Sequence, residues 1–246
     1  MTTFDDTLSL VGEYLRVPAD TLAVASDRYP FADVPFGEFP HGGIYPGEGR
    51  LLWTLVRVQK PAAALELGTH SGGSATIIAN ALVANGRGFL TAVDIDPNAG
   101  WLIPDDLRSV IRFQTADIDR WIMEDPIAAY DFVFEDGAHS EHQVHTLYLN
   151  RHKFLKHDGL ILSHDALVEG VGEYVRNGIK KGGAKGAQFY SIEDSHLGIS
   201  LYCEGTFTAA PTPALTVEPK PAVKKATVSK PVAKKPAVKR RRKARS

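Results

Sequence analysis

The 246-residue chain contains a single cysteine, Cys203. One cysteine excludes an intrachain disulfide and any metal site built from several thiolates. The chain also lacks a run of about 18 apolar residues, so the sequence predicts no membrane-spanning helix. Its amino terminus is acidic and has no secretory pattern. Together these absences favour a protein of the reducing cytoplasm.

Positive charge is scarce outside the last part of the chain. Residues 217–246 contain twelve Lys/Arg and one acid, a net charge of +11, whereas residues 1–216 carry 16 basic and 28 acidic residues, a net charge of −12. The Lys/Pro/Ala-rich segment 206–246 has almost nothing to bury, so we predict a disordered basic tail. Such a tail predicts nonspecific contact with nucleic acid or another polyanion. The alternative is a solubilising tail, or one that folds back on the acidic body.

The most informative stretch is residues 64–75, Ala-Leu-Glu-Leu-Gly-Thr-His-Ser-Gly-Gly-Ser-Ala. An apolar run, a glycine turn and an Ala/Ile-rich segment predict a strand, a tight turn and a helix N-terminus. Gly68 and Gly72 have no side chain, so a ligand could lie against the backbone of the turn. The next apolar run ends in Asp94, whose carboxylate could bind ribose hydroxyls. The first hypothesis is therefore a nucleotide-type cofactor.

Apolar strands alternate with helical segments along the chain. We predict strands at 63–68, 89–95, 110–115, 130–136, 160–164, 187–192 and 197–203, and helices at 4–16, 48–59, 73–84, 118–123, 140–155 and 168–180. The alternation predicts a mainly parallel sheet with helices on both faces, and the last two strands are close enough in sequence to form a hairpin. Ligands of such sheets bind at the carboxyl ends of the strands.

This pattern divides the chain into three parts. Residues 1–46 form an N-terminal helix and a Pro/Gly-rich segment, residues 47–205 form the α/β domain, and residues 206–246 form the tail. Within the first part, the irregular stretch 29–49 is either a connector or a segment that covers the substrate. Five acidic residues fall at or just after predicted strand ends, which favours a site there: Glu66, Asp94, Asp117, Asp136 and Asp165.

The segments at these strand ends resemble one family. In order, they are residues 65–74, 92–96, 116–117, 132–140 and 159–165. The sequence resembles the class I S-adenosylmethionine-dependent methyltransferases over about residues 45–204, in particular the small O-methyltransferases related to the catechol, caffeoyl-CoA and antibiotic-tailoring enzymes. The resemblance implies a Rossmann-like fold with a seven-stranded, mainly parallel sheet and a C-terminal antiparallel hairpin. A dinucleotide dehydrogenase is disfavoured because the turn from Gly68 to Gly73 is not G-x-G-x-x-G.

The resemblance also implies S-adenosylmethionine as the cofactor. Glu66 and the glycine turn would hold its methionine end, Asp94 would accept hydrogen bonds from the ribose, and Asp117 would lie near the adenine amino group. The full set of expected cofactor-binding residues is Glu66, Gly68, Thr69, Gly72, Ser74, Asp94 and Asp117.

The expected chemistry lies after the fourth and fifth strands. Metal-dependent relatives carry Asp-x-x-Lys after the fourth strand, where this chain has Asp136-Gly-Ala-His139. The resemblance therefore implies that Asp136 and His139 are catalytic, with His139 as a general base that titrates near neutral pH. It also implies a Mg²⁺-type metal at Asp136 and Asp165. Because Ala166 stands at the third ligand position, His164 or Glu135 could substitute there, or water could complete the shell. The alternative is that the two aspartates cap helices or orient the substrate.

We therefore expect an enzyme that methylates a hydroxyl group of a small molecule, and a homodimer, which is common among the relatives. The alternative function is that of a nucleic-acid-associated protein, in which the basic tail binds DNA or RNA and the methyltransferase fold is a binding module. A third alternative keeps the fold and changes the reaction.

Overall fold

The computed structural model describes residues 2–124, 130–193 and 195–209. Their strands are β1 (Ala63–Leu67), β2 (Phe89–Asp94), β3 (Ile111–Thr115), β4 (Tyr130–Glu135), β5 (Leu155–Ser163), β6 (Gln188–Tyr190) and β7 (Ile199–Cys203). They form one sheet in the order β3-β2-β1-β4-β5-β7-β6. Strands β1 to β5 are parallel, and β7 is antiparallel to both of its neighbours. The predicted mixed sheet is confirmed.

Helices cover both faces of this sheet. They are α1 (Phe4–Leu15), α2 (Ala19–Ser26), α3 (Pro46–Gln59), α4 (Gly73–Asn85), α5 (Ile118–Glu124), α6 (Glu141–Asn150) and α7 (Val171–Lys181). The first four pack into one apolar core, and the last three pack into a second core on the opposite face. None of the helices in the described residues has the length and apolar character that a bilayer span requires.

The central strand shows why the chain folds this way. All five residues of β1 are buried, because helices lie above and below it. The hydrogen bonding between β1 and β4, and between β4 and β5, continues one residue beyond the strand ends. The Asp136 N–H donates to the Leu67 carbonyl, and the His164 N–H donates to the Glu135 carbonyl, both at 2.9 Å. The residues that follow β4 and β5 are therefore held at the same edge as the end of β1.

The boundary between α6 and β5 differs from the sequence-based prediction. We predicted a helix to residue 155 and a strand that starts at residue 160, but α6 ends at Asn150 and β5 begins at Leu155. Tyr130 pairs with Leu155 whereas Phe132 pairs with Leu160, so the residues between 155 and 160 form a bulge inside the strand. The apolar residues at 154 and 155 continue the helical pattern in sequence, which explains the error.

Two further differences lie in the N-terminal part. Helix α2 was not predicted. Helix α3 begins at Pro46, two residues before the predicted start, because proline suits the first turn of a helix. The Glu48 carboxylate accepts the Tyr45 N–H at 3.0 Å and so caps this helix.

A glycine fixes the distance between β1 and the residue after β4. Gly68 has a φ of +92°, and a Cβ at this position would overlap the carbonyl group of Asp136. The sequence-based interpretation explained this glycine by the approach of a ligand. The structure shows that the protein's own backbone already requires it.

We expect Gly68→Ala to destabilise the fold by about 3 kcal/mol or more, because it combines the cost of positive φ with a backbone clash. The matched control is Gly86→Ala at the end of α4, where φ is +66° and a Cβ would meet open space. That control should cost only about 1 kcal/mol. Urea unfolding of the two variants gives the comparison, and equal losses would show that the clash is relieved at no cost.

Candidate active site

The turn between β1 and α4 is organised by Asp94 at the end of β2. Its Oδ2 accepts the N–H groups of Thr69 and His70, both at 2.8 Å, and its Oδ1 accepts the N–H of Asp96 at 2.9 Å. Burial alone would raise the pKa of Asp94, but these backbone donors outweigh burial and lower it. A stable carboxylate therefore lies at the predicted ribose position and also holds the turn.

Glu66 lies under the same turn and is fully buried. Among the described residues, neither oxygen of its carboxyl group has a hydrogen-bond partner. Burial raises the pKa of Glu66 to about 8, and the nearby hydroxyls of Ser74 and Thr69 offset only part of this effect. An unpartnered buried carboxyl group costs free energy, so the position is suited to a cationic ligand group that would pair with it.

The remaining predicted cofactor residues are placed around this turn. Thr69 and Ser74 are buried, and the hydroxyl of Thr69 has no hydrogen-bond partner among the described residues. A Cβ at Gly72 would overlap Ile103, so protein packing requires this glycine as well. Asp117 is exposed after β3, and its Oδ1 accepts the Arg120 N–H at 2.9 Å, which caps α5.

A second group of polar residues lies at the ends of β4 and β5. His164 Nδ1 lies 3.1 Å from Asp136 Oδ1 and 3.2 Å from Asp165 Oδ1. His139 Nε2 lies 3.2 Å from the same Asp136 oxygen and 3.4 Å from Asp165 Oδ2. We call these four residues the rim cluster. The structure thus brings together all four residues that the sequence assigned to base and metal roles.

The backbone of the rim cluster is unusual. Among the described residues, five that are not glycine have positive φ, and three of them belong to the candidate site: His70 at 44°, His139 at 48° and Asp165 at 54°. Such conformations cost free energy for residues with a Cβ and are concentrated at functional sites. Here they aim the His139 and Asp165 side chains at one another.

The two imidazoles differ in their surroundings. The His164 side chain is 2% exposed, and its Nε2 donates to Glu48 Oε2 at 3.0 Å. The His139 side chain is 12% exposed, and its Nδ1 faces the buried Glu135 at 3.8 Å. Burial would lower both pKa values, but the facing carboxylates outweigh it and raise them, strongly for His164. Only His139 has a side chain with appreciable access from outside.

The carboxyl groups of the cluster also respond to one another. Burial would raise the pKa of Asp136, but the two histidines lower it well below its usual range. Burial dominates at Asp165 and raises its pKa despite the same histidines. Burial likewise raises the pKa of Glu135, one of whose carboxyl oxygens has no hydrogen-bond partner among the described residues.

Sequence reasoning missed Glu48. This residue lies in α3, is fully buried, and is separated by 116 positions from His164. Its Oε1 also accepts the hydroxyl of Ser195 at 2.5 Å. In the sequence it is only the first acid of a predicted helix, which is typical of a helix cap. No local pattern indicates that it contacts a site residue.

The donor set tests the expected Mg²⁺ site. One ligand atom each from Asp136, His139 and His164 lies within 4.8 Å of the others. Two of these three donors are imidazole nitrogens, whereas Mg²⁺ selects oxygen ligands and water in a near-ideal octahedron. Ala166 is buried and offers no donor. The residues present therefore fit Mg²⁺ poorly.

Solved structures share this fold. A Klebsiella pneumoniae protein assigned as an O-methyltransferase has a TM-score of 0.56 at 17% identity, over 80% of this chain and 96% of that one. TomG, the O-methyltransferase of tomaymycin synthesis from Streptomyces achromogenes, has a TM-score of 0.54 at 17% identity, over 76% and 90%. An O-methyltransferase from Bacillus cereus has a TM-score of 0.55 at 16% identity, over 80% and 96%. The chain has the class I methyltransferase fold.

A family model described as a methyltransferase domain matches residues 65–166. The matched range contains the glycine turn, Asp94, Asp117 and the rim cluster, and Glu48 lies outside it. A search of curated proteins finds no match. The resemblance to the class I O-methyltransferases is therefore confirmed for the fold and, over residues 65–166, for the match to a methyltransferase domain.

We expect the raised pKa of Glu66 to appear as a pH-dependent loss of stability. The folded state keeps a proton on Glu66 up to about pH 8, while the unfolded chain releases it near 4.5. Unfolding free energy therefore falls between these values by about 1.4 kcal/mol per pH unit from this residue. The nearby Asp94 and Asp136 carboxylates contribute to the raised pKa.

The variant Glu66→Gln removes this contribution, so its advantage over the wild type should grow from pH 5 to 8 and then level off. Urea unfolding across this range measures it, with the exposed Glu13→Gln as the control. Parallel stability curves for wild type and Glu66→Gln would contradict the raised pKa.

Proposed function

We propose that this protein transfers a methyl group from S-adenosylmethionine to a hydroxyl group of a small molecule. The observation that carries the proposal is the position of two polar groups on adjacent strands. The buried, unpartnered Glu66 lies on β1, and the rim cluster follows β4, which pairs with β1. The matched methyltransferase domain includes both.

The cofactor assignment is supported by the chemistry of the turn. A cationic ammonium group is the partner that the Glu66 carboxyl group lacks, and ionisation of Glu66 would accompany its binding. Asp94 is an ionised acceptor at the next strand end, suited to ribose hydroxyls, and Asp117 lies beyond β3, where the adenine amino group is expected. The solved structure of TomG is a complex with S-adenosylmethionine. When bound, this cofactor supplies an electrophilic methyl group.

His139 is proposed as the general base. A hydroxyl group is a weak nucleophile until its proton is removed, and removal of this proton must coincide with attack on the methyl group. His139 Nε2 is directed toward Asp136 and Asp165, and its side chain is more accessible than that of His164. Asp136 and Asp165 would orient the imidazole and stabilise it once it holds the proton. No step is assigned to Mg²⁺, because the donor set fits this ion poorly.

The N-terminal segment packs beside the residues that contact the rim cluster. The rings of Phe36 and Tyr45 stack at 4.0 Å, and the Tyr45 hydroxyl lies 3.0 Å from His196 Nδ1. Tyr45 is three residues from Glu48, whose carboxylate contacts the rim cluster. We infer that the segment around residues 29–49 covers the acceptor, as one interpretation of the sequence predicted. The expected homodimer and cytoplasmic location stay predictions.

The variant His139→Ala should lower kcat by about 10²–10⁴-fold and leave S-adenosylhomocysteine affinity unchanged, since only proton transfer is removed. Methyl transfer from labelled S-adenosylmethionine to a panel of small phenols and alcohols measures the first quantity, and calorimetry measures the second. The matched control is His142→Ala on α6, because this histidine side chain is 77% exposed. Full turnover in His139→Ala would remove the proposed base, and absence of S-adenosylhomocysteine binding to the wild type would contradict the whole proposal.

The charge distribution favours a second, additional function. The net charge of +11 in residues 217–246, against −12 in the rest of the chain, supports nonspecific binding of nucleic acid by the tail. Residues 210–246 lie outside the described part of the chain. The predicted tail therefore stays a prediction, and so does the alternative in which the fold serves as a binding module.

Deleting residues 210–246 should abolish salt-sensitive binding to duplex DNA, because counterion release supplies its affinity. Fluorescence anisotropy over a salt series measures the binding, and methyl transfer to the small acceptors should be unchanged. Equal DNA affinity of the full and shortened chains would exclude the tail as the binding element. Loss of methyl transfer on deletion would show instead that the tail takes part in catalysis.

A further inference from the structure

The disagreement between the rim cluster and Mg²⁺ has a chemical consequence. We propose that His164 Nδ1 and Asp136 bind a divalent ion of the zinc class, one that accepts imidazole, and that Glu48 is the residue that orients His164 for it. The inference concerns the site of the proposed methyl transfer and rests on that function only for the role left to His139.

The surroundings of His164 fix the orientation of its imidazole ring. Its Nε2 donates to the buried Glu48 carboxylate at 3.0 Å, so the proton is fixed on that nitrogen. Glu48 is itself held in place by Tyr45 N–H and Ser195 Oγ. Metal-binding histidines usually have their second ring nitrogen fixed by such a carboxylate, which sets the tautomer and the ring orientation. The metal-facing nitrogen is then Nδ1.

The other ring nitrogen, Nδ1, lies close to two carboxyl oxygens. Nδ1 lies 3.1 Å from Asp136 Oδ1 and 3.2 Å from Asp165 Oδ1. Ligand atoms about 2.0–2.2 Å from one ion are typically about 3 Å apart, so the Nδ1–Asp136 pair has the spacing of two ligands of one ion. An ion between these groups would contact Nδ1 and both carboxyl oxygens at once.

The two imidazoles of the cluster are surrounded by carboxyl groups. Four carboxyl groups face the two imidazoles of the cluster, from Glu48, Glu135, Asp136 and Asp165. None of the ion pairs in the described residues joins these carboxyl groups to lysine or arginine. The cluster therefore has more carboxyl groups than imidazoles and no lysine or arginine partner among the described residues, a setting that favours a bound cation.

The roles of the two histidines follow from their access. The His164 side chain is only 2% exposed, so an incoming acceptor cannot reach its imidazole to transfer a proton. The His139 side chain is 12% exposed and keeps the role of base. The imidazole in the donor set favours Zn²⁺, Co²⁺ or Fe²⁺ over Mg²⁺, because imidazole is a poor ligand for Mg²⁺.

The test is metal binding to the full chain after treatment with a chelator. Calorimetry should show one equivalent of Zn²⁺ bound on the order of 100-fold or more tightly than Mg²⁺. Co²⁺, the spectroscopic substitute for Zn²⁺, should give visible absorption typical of a nitrogen ligand. Equal affinity for Mg²⁺ and Zn²⁺, or no binding of either ion, would overturn the proposal.

Three variants assign the residues. His164→Gln should abolish Zn²⁺ binding and the Co²⁺ absorption. Glu48→Gln preserves the side-chain volume, and it should weaken Zn²⁺ binding about 10–100-fold, as loss of such supporting partners does. His139→Ala removes the other imidazole of the cluster and should keep both signals, because His139 is assigned as the base. The exposed His142→Ala is the matched control. Signals that depend on His139 but survive in His164→Gln, or Zn²⁺ affinity unchanged in Glu48→Gln, would overturn the assignment.

Two further readouts separate the possible failures. Circular dichroism and S-adenosylhomocysteine calorimetry on each variant show whether the fold and the cofactor site survive, so a loss of Zn²⁺ binding is counted only in a folded variant. If Zn²⁺ binds as expected and S-adenosylhomocysteine does not, the proposed function fails alone. If S-adenosylhomocysteine binds and Zn²⁺ does not, the present inference fails alone.

Discussion

The parallel pairing of β4 with β1 and β5 is the constraint on which the candidate site depends. It places Leu67, Glu135 and Ser163 side by side, and backbone hydrogen bonds extend the alignment by one residue on each side. The polar residues that follow these strands therefore lie close together. Gly68 lets the turn between β1 and α4 approach Asp136 closely, so this turn and the rim cluster are in direct contact. A shift in either pairing would separate the two halves of the site.

This arrangement places several carboxyl groups where water is largely excluded. Burial raises the pKa values of Glu66, Glu135 and Asp165, while the histidines lower that of Asp136. Each carboxyl group without a partner costs stability in the free protein. A ligand that supplies positive charge removes this cost, so free energy lost on folding is recovered on binding. Glu66 is one such carboxyl group: the hydroxyls of Ser74 and Thr69 lie near it and lower its pKa only in part, and neither of its oxygens has a geometrically well-formed hydrogen bond among the described residues.

The sequence predicted where the strands lie along the chain and which acids stand at or after their ends. These features are local patterns of apolar runs, glycine turns and terminal acids. It did not predict the bulge in β5, since the apolar stretch around Phe154 is equally compatible with helix and strand. Nor did it predict Glu48. This residue acts on His164 only because α3 packs against the sheet, and such a contact across 116 positions has no local signal. The glycine turn was located correctly, but the physical reason for Gly68 required the structure.

The contribution of Glu48 bears on how the site is assembled. It comes from outside the matched range 65–166 and yet forms hydrogen bonds with His164, the backbone of Tyr45 and the hydroxyl of Ser195. One buried side chain therefore joins α3, the end of β5 and the loop before β7. Because the Glu48 carboxylate accepts both the Tyr45 N–H and the His164 Nε2–H, it joins the segment proposed to cover the acceptor to the imidazole proposed to bind the ion. Movement of the backbone at Tyr45 would therefore move the carboxylate that holds His164 in its orientation.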